Sequence, residues 1–261
     1  MGILNVTPDS FSDGGNFLDL DAAVEHAKDM EDAGADIIDI GGESTRPSSG
    51  KVSSKDELRR VMPVIEHLLD EVSVPISIDT YKPDVARDAL ELGVHMINDV
   101  NALREPGMAE LVAEYNIPTV IMHFEGAPHK MVKEPVYGDL MNDIITFLRT
   151  QSKLAEDAGL SPEKIIIDPG IGFSKYGEQN IEILRRLPEM RSLAKPILIG
   201  ASRKSFIGDL VDKPADERLF GSLASVAIGI LHHVDFVRVH DVAETVDVVK
   251  LADAVVRNQD R

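Results

Sequence analysis

Residues 74–99 read VPISIDTYKPDVARDALELGVHMIND, and the organisation of the whole chain can be taken from them. A short apolar run, Val74–Ile78, ends on Asp79. A segment with helical spacing, Lys82–Leu92, comes next. A second short run, His95–Ile97, then ends on Asn98-Asp99. The order is strand, helix, strand, with polar residues where each strand stops.

The unit recurs in both directions. Strands are predicted at Met1–Val6, Asp36–Ile40, Val74–Ile78, His95–Ile97, Pro118–Ile121, Ile165–Ile167, Ile197–Ile199 and Phe236–Val239. Helices are predicted at Asp21–Ala33, Lys55–Glu71, Lys82–Leu92, Gly107–Tyr115, Leu140–Ala158, Glu178–Leu187, Ala215–His232 and Val242–Val256. Such alternation points to a parallel sheet. Eight pairs in 261 residues, without a linker, favour a single closed (β/α)8 barrel over the alternative, a doubly wound open sheet. A barrel of this kind takes about 250 residues as one domain.

Composition narrows the partners. There are 45 Asp and Glu against 27 Lys and Arg, which argues against nucleic acid. An anionic substrate must therefore be held by local positive groups. The chain has no cysteine, so disulfides and thiolate metal sites are excluded, and a reducing, cytoplasmic setting is expected. No run of about 18 apolar residues is present to span a membrane. The N-terminus lacks the basic start and apolar stretch of a signal peptide. If Met1–Val6 is a strand, the chain starts inside its first element, which suggests a trimmed N-terminus.

The polar residues fall in a pattern. The predicted strands are followed by Asn5, Gly41-Gly42-Glu43, Asp79, Asn98-Asp99, His123, Asp168, Ser202-Arg203-Lys204 and Arg238 with His240. In a barrel the C-terminal strand ends converge on one face, where active sites sit. Charged groups there are seldom buried without partners or purpose. The set is read as an active-site ring.

Several of these segments resemble one known family. Gly2-Ile3-Leu4-Asn5-Val6-Thr7-Pro8-Asp9-Ser10-Phe11-Ser12-Asp13-Gly14-Gly15 is similar to the opening signature of dihydropteroate synthases. So are Asp39-Ile40-Gly41-Gly42-Glu43-Ser44-Thr45-Arg46-Pro47, Ser77-Ile78-Asp79-Thr80, Ile97-Asn98-Asp99-Val100 and Met122-His123. Asp168-Pro169-Gly170-Ile171-Gly172-Phe173, Ser202-Arg203-Lys204-Ser205 and Arg238-Val239-His240-Asp241 complete the series, in order, from residue 2 to residue 241. Singly, Asp-Pro-Gly or Asn-Asp is weak; the first, second and seventh segments together are specific.

The resemblance implies an enzyme that joins a dihydropterin diphosphate to p-aminobenzoate, or a related arylamine, and releases pyrophosphate. Asp168 would accept two parallel hydrogen bonds from the pterin N3–H and 2-amino group, with Asp79 and Asn98 pairing other ring nitrogens. By themselves Asp and Asn are also common turn and N-cap residues. Lys204 would donate to the O4/N5 edge, a role that suits a compact ammonium. Its plain reading is a solvated surface lysine. Ser205 starts a helical segment whose free N–H groups favour an anion, and the resemblance puts the arylamine carboxylate there.

Thr45, Arg46, Arg238 and His240 would hold the diphosphate, because guanidinium groups grip phosphate oxygens bidentately. An arginine at a barrel mouth can equally be a salt-bridge partner. In the family the residue matching Asn5 coordinates Mg2+ carried on the diphosphate. Phe11 and Pro47, on the loops Thr7–Gly15 and Ser44–Gly50, would flank the arylamine ring, and Met122 and Phe173 would line the substrate site. Lys204, Asp79, Arg238 and His240 are the expected catalytic set, and a homodimer is implied. Ser48-Ser49-Gly50, Ser174-Lys175-Tyr176-Gly177 and His123-Phe124-Glu125-Gly126 depart from the family pattern at the rims. A ribosylated aniline therefore stays open as the second substrate. Two other functions remain: a pterin-binding methyltransferase, which would need neither the Asn5–Gly15 signature nor Ser202-Arg203-Lys204-Ser205, and a pterin-binding paralogue without turnover.

Overall fold

The computed structural model describes residues 1–7, 15–43, 50–127, 130–131 and 135–257. Eight short parallel strands form the centre: β1 (Gly2–Asn5), β2 (Ile38–Gly41), β3 (Ile76–Asp79), β4 (Met96–Asp99), β5 (Thr119–Met122), β6 (Ile165–Asp168), β7 (Leu198–Ile199) and β8 (Phe236–Val237). The first six pair in sequence order, and β7 pairs with β8. Two single bridges join these arrays. Ile167 meets Ile197, and Gly2 meets Val239, so the eight strands close into a ring. At the second seam the Ile3 N–H donates to the Val239 carbonyl at 3.0 Å, and the Val239 N–H to the Met1 carbonyl at 3.0 Å.

Period-2 alternation explains the apolar runs. Ile38, Ile40, Ile76, Ile78, Ile97, Ile121, Ile165, Ile167, Ile197 and Ile199 face outward into one large core shared with the helices. Met96, Val120, Ile166 and Leu198 fill the barrel interior. A parallel strand buried on both faces needs few polar residues until it ends. Tyr81, Val100, Met122 and Phe124, with Phe173 against them, form a third apolar group.

The surrounding helices are α1 (Gly15–Asp32), α2 (Ser54–Glu71), α3 (Pro83–Leu92), α4 (Met108–Tyr115), α5 (Leu140–Ala158), α6 (Glu178–Arg186), α7 (Ser205–Val211), α8 (Leu219–Leu231) and α9 (Val242–Val256). Their limits follow from local chemistry. Ser53 caps α2 by accepting the Asp56 N–H, and Asp139 caps α5 by accepting the Asn142 N–H. Pro83 occupies the first turn of α3, where a missing N–H costs nothing. Gly93 and Gly159 end α3 and α5 at φ near +110°, a conformation glycine adopts without strain.

Three features differ from the sequence expectation. The segment predicted as one helix, Ala215–His232, is a short 3-10 turn over Ala215–Glu217 and then α8. α7 begins at Ser205, where a helical segment was expected, but it is short and separate: it stops at Val211, with Asp212 at φ +54°, before Pro214. A small antiparallel ladder, Gly126–Ala127 with Lys130–Met131, follows β5. Among the described residues no helix is long and apolar enough to cross a membrane.

Candidate active site

Register builds the site before any side chain is considered. Asn5 pairs with Gly41, Gly41 with Asp79 and Asp79 with Asn98, so one row of the sheet carries these positions around the C-terminal rim. Across the ring Met122 pairs with Asp168. A cleft of about 480 Å3, open to solvent, lies at this end of the barrel. It is lined by Asp79, Asn98, Met122, Asp168, Phe173, Ser202, Lys204, Arg238 and His240, with Ile3, Val100, Ile171 and Gly200.

Eight of the expected site residues thus meet in one cleft. Asn5 sits at the exposed end of β1, and Ser205 at the exposed start of α7, outside the lining set. Phe11, Thr45, Arg46 and Pro47 lie outside the described residues.

One wall is a carboxylate–arginine network. The Arg238 Nε donates to Asp39 Oδ2 at 2.6 Å, and its Nη2 donates to Asp79 Oδ2 at 2.8 Å. Asn98 Nδ2 donates to the same Asp39 Oδ2 at 2.9 Å. Burial pushes the Asp79 carboxyl up, to about 7, with Arg238 opposing. Burial works against the Arg238 charge too, but Asp39 and Asp79 more than compensate and hold it protonated.

The opposite wall carries Asp168 and Lys204. Asp168 Oδ1 accepts the Gly170 N–H at 2.7 Å, and burial raises the carboxyl to about 6. Lys204 is half-buried, with its Nζ 3.8 Å from the centre of the Phe173 ring, a cation–π contact that leaves the ammonium facing the cleft. Burial lowers it to about 7, against the pull of Asp168. Between the walls stands His240. The Ser202 hydroxyl accepts the His240 backbone N–H at 3.2 Å and lies 3.0 Å from its Nδ1. Its proton can then go to Nδ1, which leaves Nε2 as an N–H donor. Burial, followed by the Arg238 and Arg203 charges, pushes the ring down to about 4. His240 therefore enters the site as a neutral donor.

Not every polar strand end serves the cleft, which corrects the reading of a complete ring. Asp99 turns back on its own loop, accepting the N–H groups of Asn101 at 2.6 Å and Leu103 at 2.8 Å. Glu43 pairs with Lys82 at 2.5 Å and accepts the Val52 N–H at 2.9 Å. His123 packs edge-on against Phe147, ring centres 4.9 Å apart, and touches Lys175. Arg203 braces the loops through a two-point pair with Asp241. Lys175, read as part of a rim departure, is 3% exposed and anchors the loop after β6. Asp39 was quoted within a motif but given no role. A carboxylate in the middle of the apolar run Asp36–Ile40 was the signal that could have singled it out.

A model described as "Pterin binding enzyme" matches residues 1–240. A dihydropteroate synthase of Synechocystis is 49% identical over 259 residues, covering 98% of this chain and 90% of that protein. A crystal structure of dihydropteroate synthase from Clostridium difficile in the presence of pteroic acid has a TM-score of 0.94 at 51% identity, covering 98% of this chain and 96% of that one. The Xanthomonas albilineans enzyme with 4-aminobenzoic acid has a TM-score of 0.92 at 44% identity, with 98% and 92% covered.

Proposed function

This chain belongs to the family of pterin-binding enzymes, and from that premise we infer that it acts as a dihydropteroate synthase. It condenses 6-hydroxymethyl-7,8-dihydropterin diphosphate with p-aminobenzoate, giving 7,8-dihydropteroate and pyrophosphate, a step of folate biosynthesis. The observation that carries this reading is the cleft that joins Asp79, Asn98 and Asp168 with Lys204, Arg238 and His240. The first three supply acceptors for pterin N–H groups, and leaving such donors unpaired in a closed site is costly. The last three supply donors for the ring oxygen and the diphosphate.

In the reaction, the arylamine nitrogen forms the C–N bond at the exocyclic methylene. The C–O bond to the diphosphate breaks, its electron pair leaves on pyrophosphate, and the nitrogen gives its extra proton to solvent. No protein nucleophile is required. The residues bind, orient and neutralise charge. Asp168 and Asn98 hold the pterin plane, Lys204 closes its edge beside Phe173, and Arg238 with the His240 N–H stands toward the leaving group. Ser205, Thr45 and Arg46, with Phe11 and Pro47, complete the arylamine and diphosphate ends in this proposal.

The donor set fits Mg2+ brought in on the diphosphate. Among the described residues no group of three or more His, Cys, Asp or Glu could hold a metal ion. Asn5 offers an exposed amide oxygen, and the bare Gly41 leaves space between it and Asp79: a Cβ there would lie 3.8 Å from Asn5 Oδ1 and 3.6 Å from Asp79 Cβ. Mg2+ keeps most of its waters, so one amide oxygen plus phosphate oxygens suffice. When bound, it would offset charge on the leaving pyrophosphate.

A cytoplasmic homodimer is part of the proposal. Leu210, Phe220, Leu231, Leu251 and Val255 are exposed apolar residues on α7, α8 and α9, which pack side by side and support a self-association face. Formation of 7,8-dihydropteroate from the two substrates, followed by mass spectrometry, tests the assignment; consumption of the diphosphate without that product would refute it.

A further inference from the structure

We infer that Asp39 is a positioning residue: it fixes the sense of the Asn98 side-chain amide, so that Asn98 presents its carbonyl oxygen, and not its N–H2, to the pterin. The inference rests on the proposed function and deepens it. Asp39 is fully buried on β2, inside the barrel and below the cleft. Its Oδ2 accepts Asn98 Nδ2 at 2.9 Å and Arg238 Nε at 2.6 Å.

A carboxylate accepts and cannot donate while ionised. An Asn98 flipped by 180° would set its oxygen against Asp39 Oδ2, two acceptors face to face, and would forfeit a charge-assisted bond. The amide is therefore held one way round. Asn98 lines the cleft, and with Nδ2 turned to Asp39 its carbonyl oxygen is free to accept from a pterin N–H. Through Arg238 the same carboxylate reaches the other acceptor on this wall. Arg238 Nη2 holds Asp79 Oδ2 at 2.8 Å, so one buried group sets the pose of Asn98 directly and of Asp79 through the guanidinium. Asp39 touches no substrate, but it makes this wall a surface of acceptors matched to N–H groups.

The test uses the full-length protein. Calorimetry with a pterin is run on wild type, Asp39→Asn, Asn98→Ala and the double variant. An uncharged amide at residue 39 no longer dictates the Asn98 sense, so Asp39→Asn is expected to weaken pterin binding about tenfold or more, the scale of a lost charge-assisted bond. In the Asn98→Ala background the Asp39→Asn change should cost several-fold less than in wild type, because there is no amide left to orient and only the arm through Arg238 to Asp79 remains. A packing defect would instead multiply through. Equal binding by Asp39→Asn and wild type, or equal cost of Asp39→Asn in both backgrounds, would overturn the inference and leave the function standing. No pterin binding by wild type would overturn both.

A second measurement does not depend on any variant folding. In protein labelled at asparagine, the Asn98 side-chain N–H2 protons should exchange slowly with water and keep their shifts when pterin is added, while the carbonyl carbon shift moves. Direct pterin contacts from the N–H2 protons would contradict the proposed sense.

Discussion

Lys175 Nζ lies 2.9 Å from His123 Nδ1 and 3.0–3.1 Å from the carbonyl oxygens of His123, Gly170 and Phe173. One buried side chain thereby ties the end of β5 to the loop that follows Asp168, the last residue of β6. Burial, followed by the Lys175 charge, pushes His123 down to about 2, so the neutral imidazole accepts from Lys175 at Nδ1 and carries its proton on Nε2. Replacing Lys175 with Met removes the donor to the buried His123 carbonyl and Nδ1, each loss costing about 1–3 kcal/mol, while the Gly170 carbonyl keeps the Phe173 N–H. Lys175→Met is expected to lower the urea midpoint markedly at an unchanged slope and to weaken pterin binding. Wild-type stability in this variant would show that the lysine is replaceable and the loop self-supporting.

Gly170 is the second fixed point of that loop. Its φ is +70°, and a Cβ there would lie 1.9 Å from the His123 carbonyl oxygen, a backbone atom that cannot step aside. Gly170→Ala should therefore destabilise by about 2 kcal/mol or more and displace Asp168. A melting temperature within a degree of wild type would mean that the loop has room the geometry denies.

Asp168→Asn keeps the shape of the side chain and removes its charge. Because Asp168 Oδ1 already accepts the Gly170 N–H, an amide must present either a repelling N–H2 to that loop or a donor to the pterin donors. Pterin affinity should fall by roughly 1.5–3 kcal/mol, the worth of a bond to a charged group. Unchanged affinity by calorimetry would remove Asp168 from the pterin site.

The same carboxylate predicts a pH dependence. Burial raises Asp168 to about 6 and Asp79 to about 7, above their ordinary value of 3.8. In the ligand-free protein their protonated forms therefore stabilise the fold below the unfolded value, and that contribution is lost as pH rises through 6 to 7. Pterin binding runs the other way, since it uses the ionised acceptor. Affinity should hold above pH 7 and weaken as pH falls through about 6, approaching tenfold per unit. A flat profile from pH 8 to pH 5 would show that the pterin does not depend on these carboxylates.

The barrel was legible because its signals are local and repeated. The run Ile165–Asp168 is apolar on both faces and polar at its end, the pattern a covered parallel strand asks for. The cleft was legible to the extent that each strand contributes its terminal residue. What sequence could not separate was direction. Asp99 and Asp79 have the same residue type at equivalent ends, yet the turn after β4 brings two N–H groups back onto Asp99. Asp39 and Lys175 were missed as anchors because their roles depend on partners 59 to 199 and 52 residues away respectively, contacts that no local pattern encodes. The extent of α7 was not legible, because seven residues give too few turns for a periodic signal.

Pyrophosphate release tests the central claim most directly. The purified protein is given 6-hydroxymethyl-7,8-dihydropterin diphosphate, Mg2+ and p-aminobenzoate, and each component is then withheld in turn. The account predicts one pyrophosphate and one 7,8-dihydropteroate per turnover with all three present, and loss of turnover on chelation without a fall in the melting temperature of the ligand-free protein. Tight pterin binding with no pyrophosphate released in the complete mixture would contradict it and mark the chain as a pterin-binding barrel with a different task.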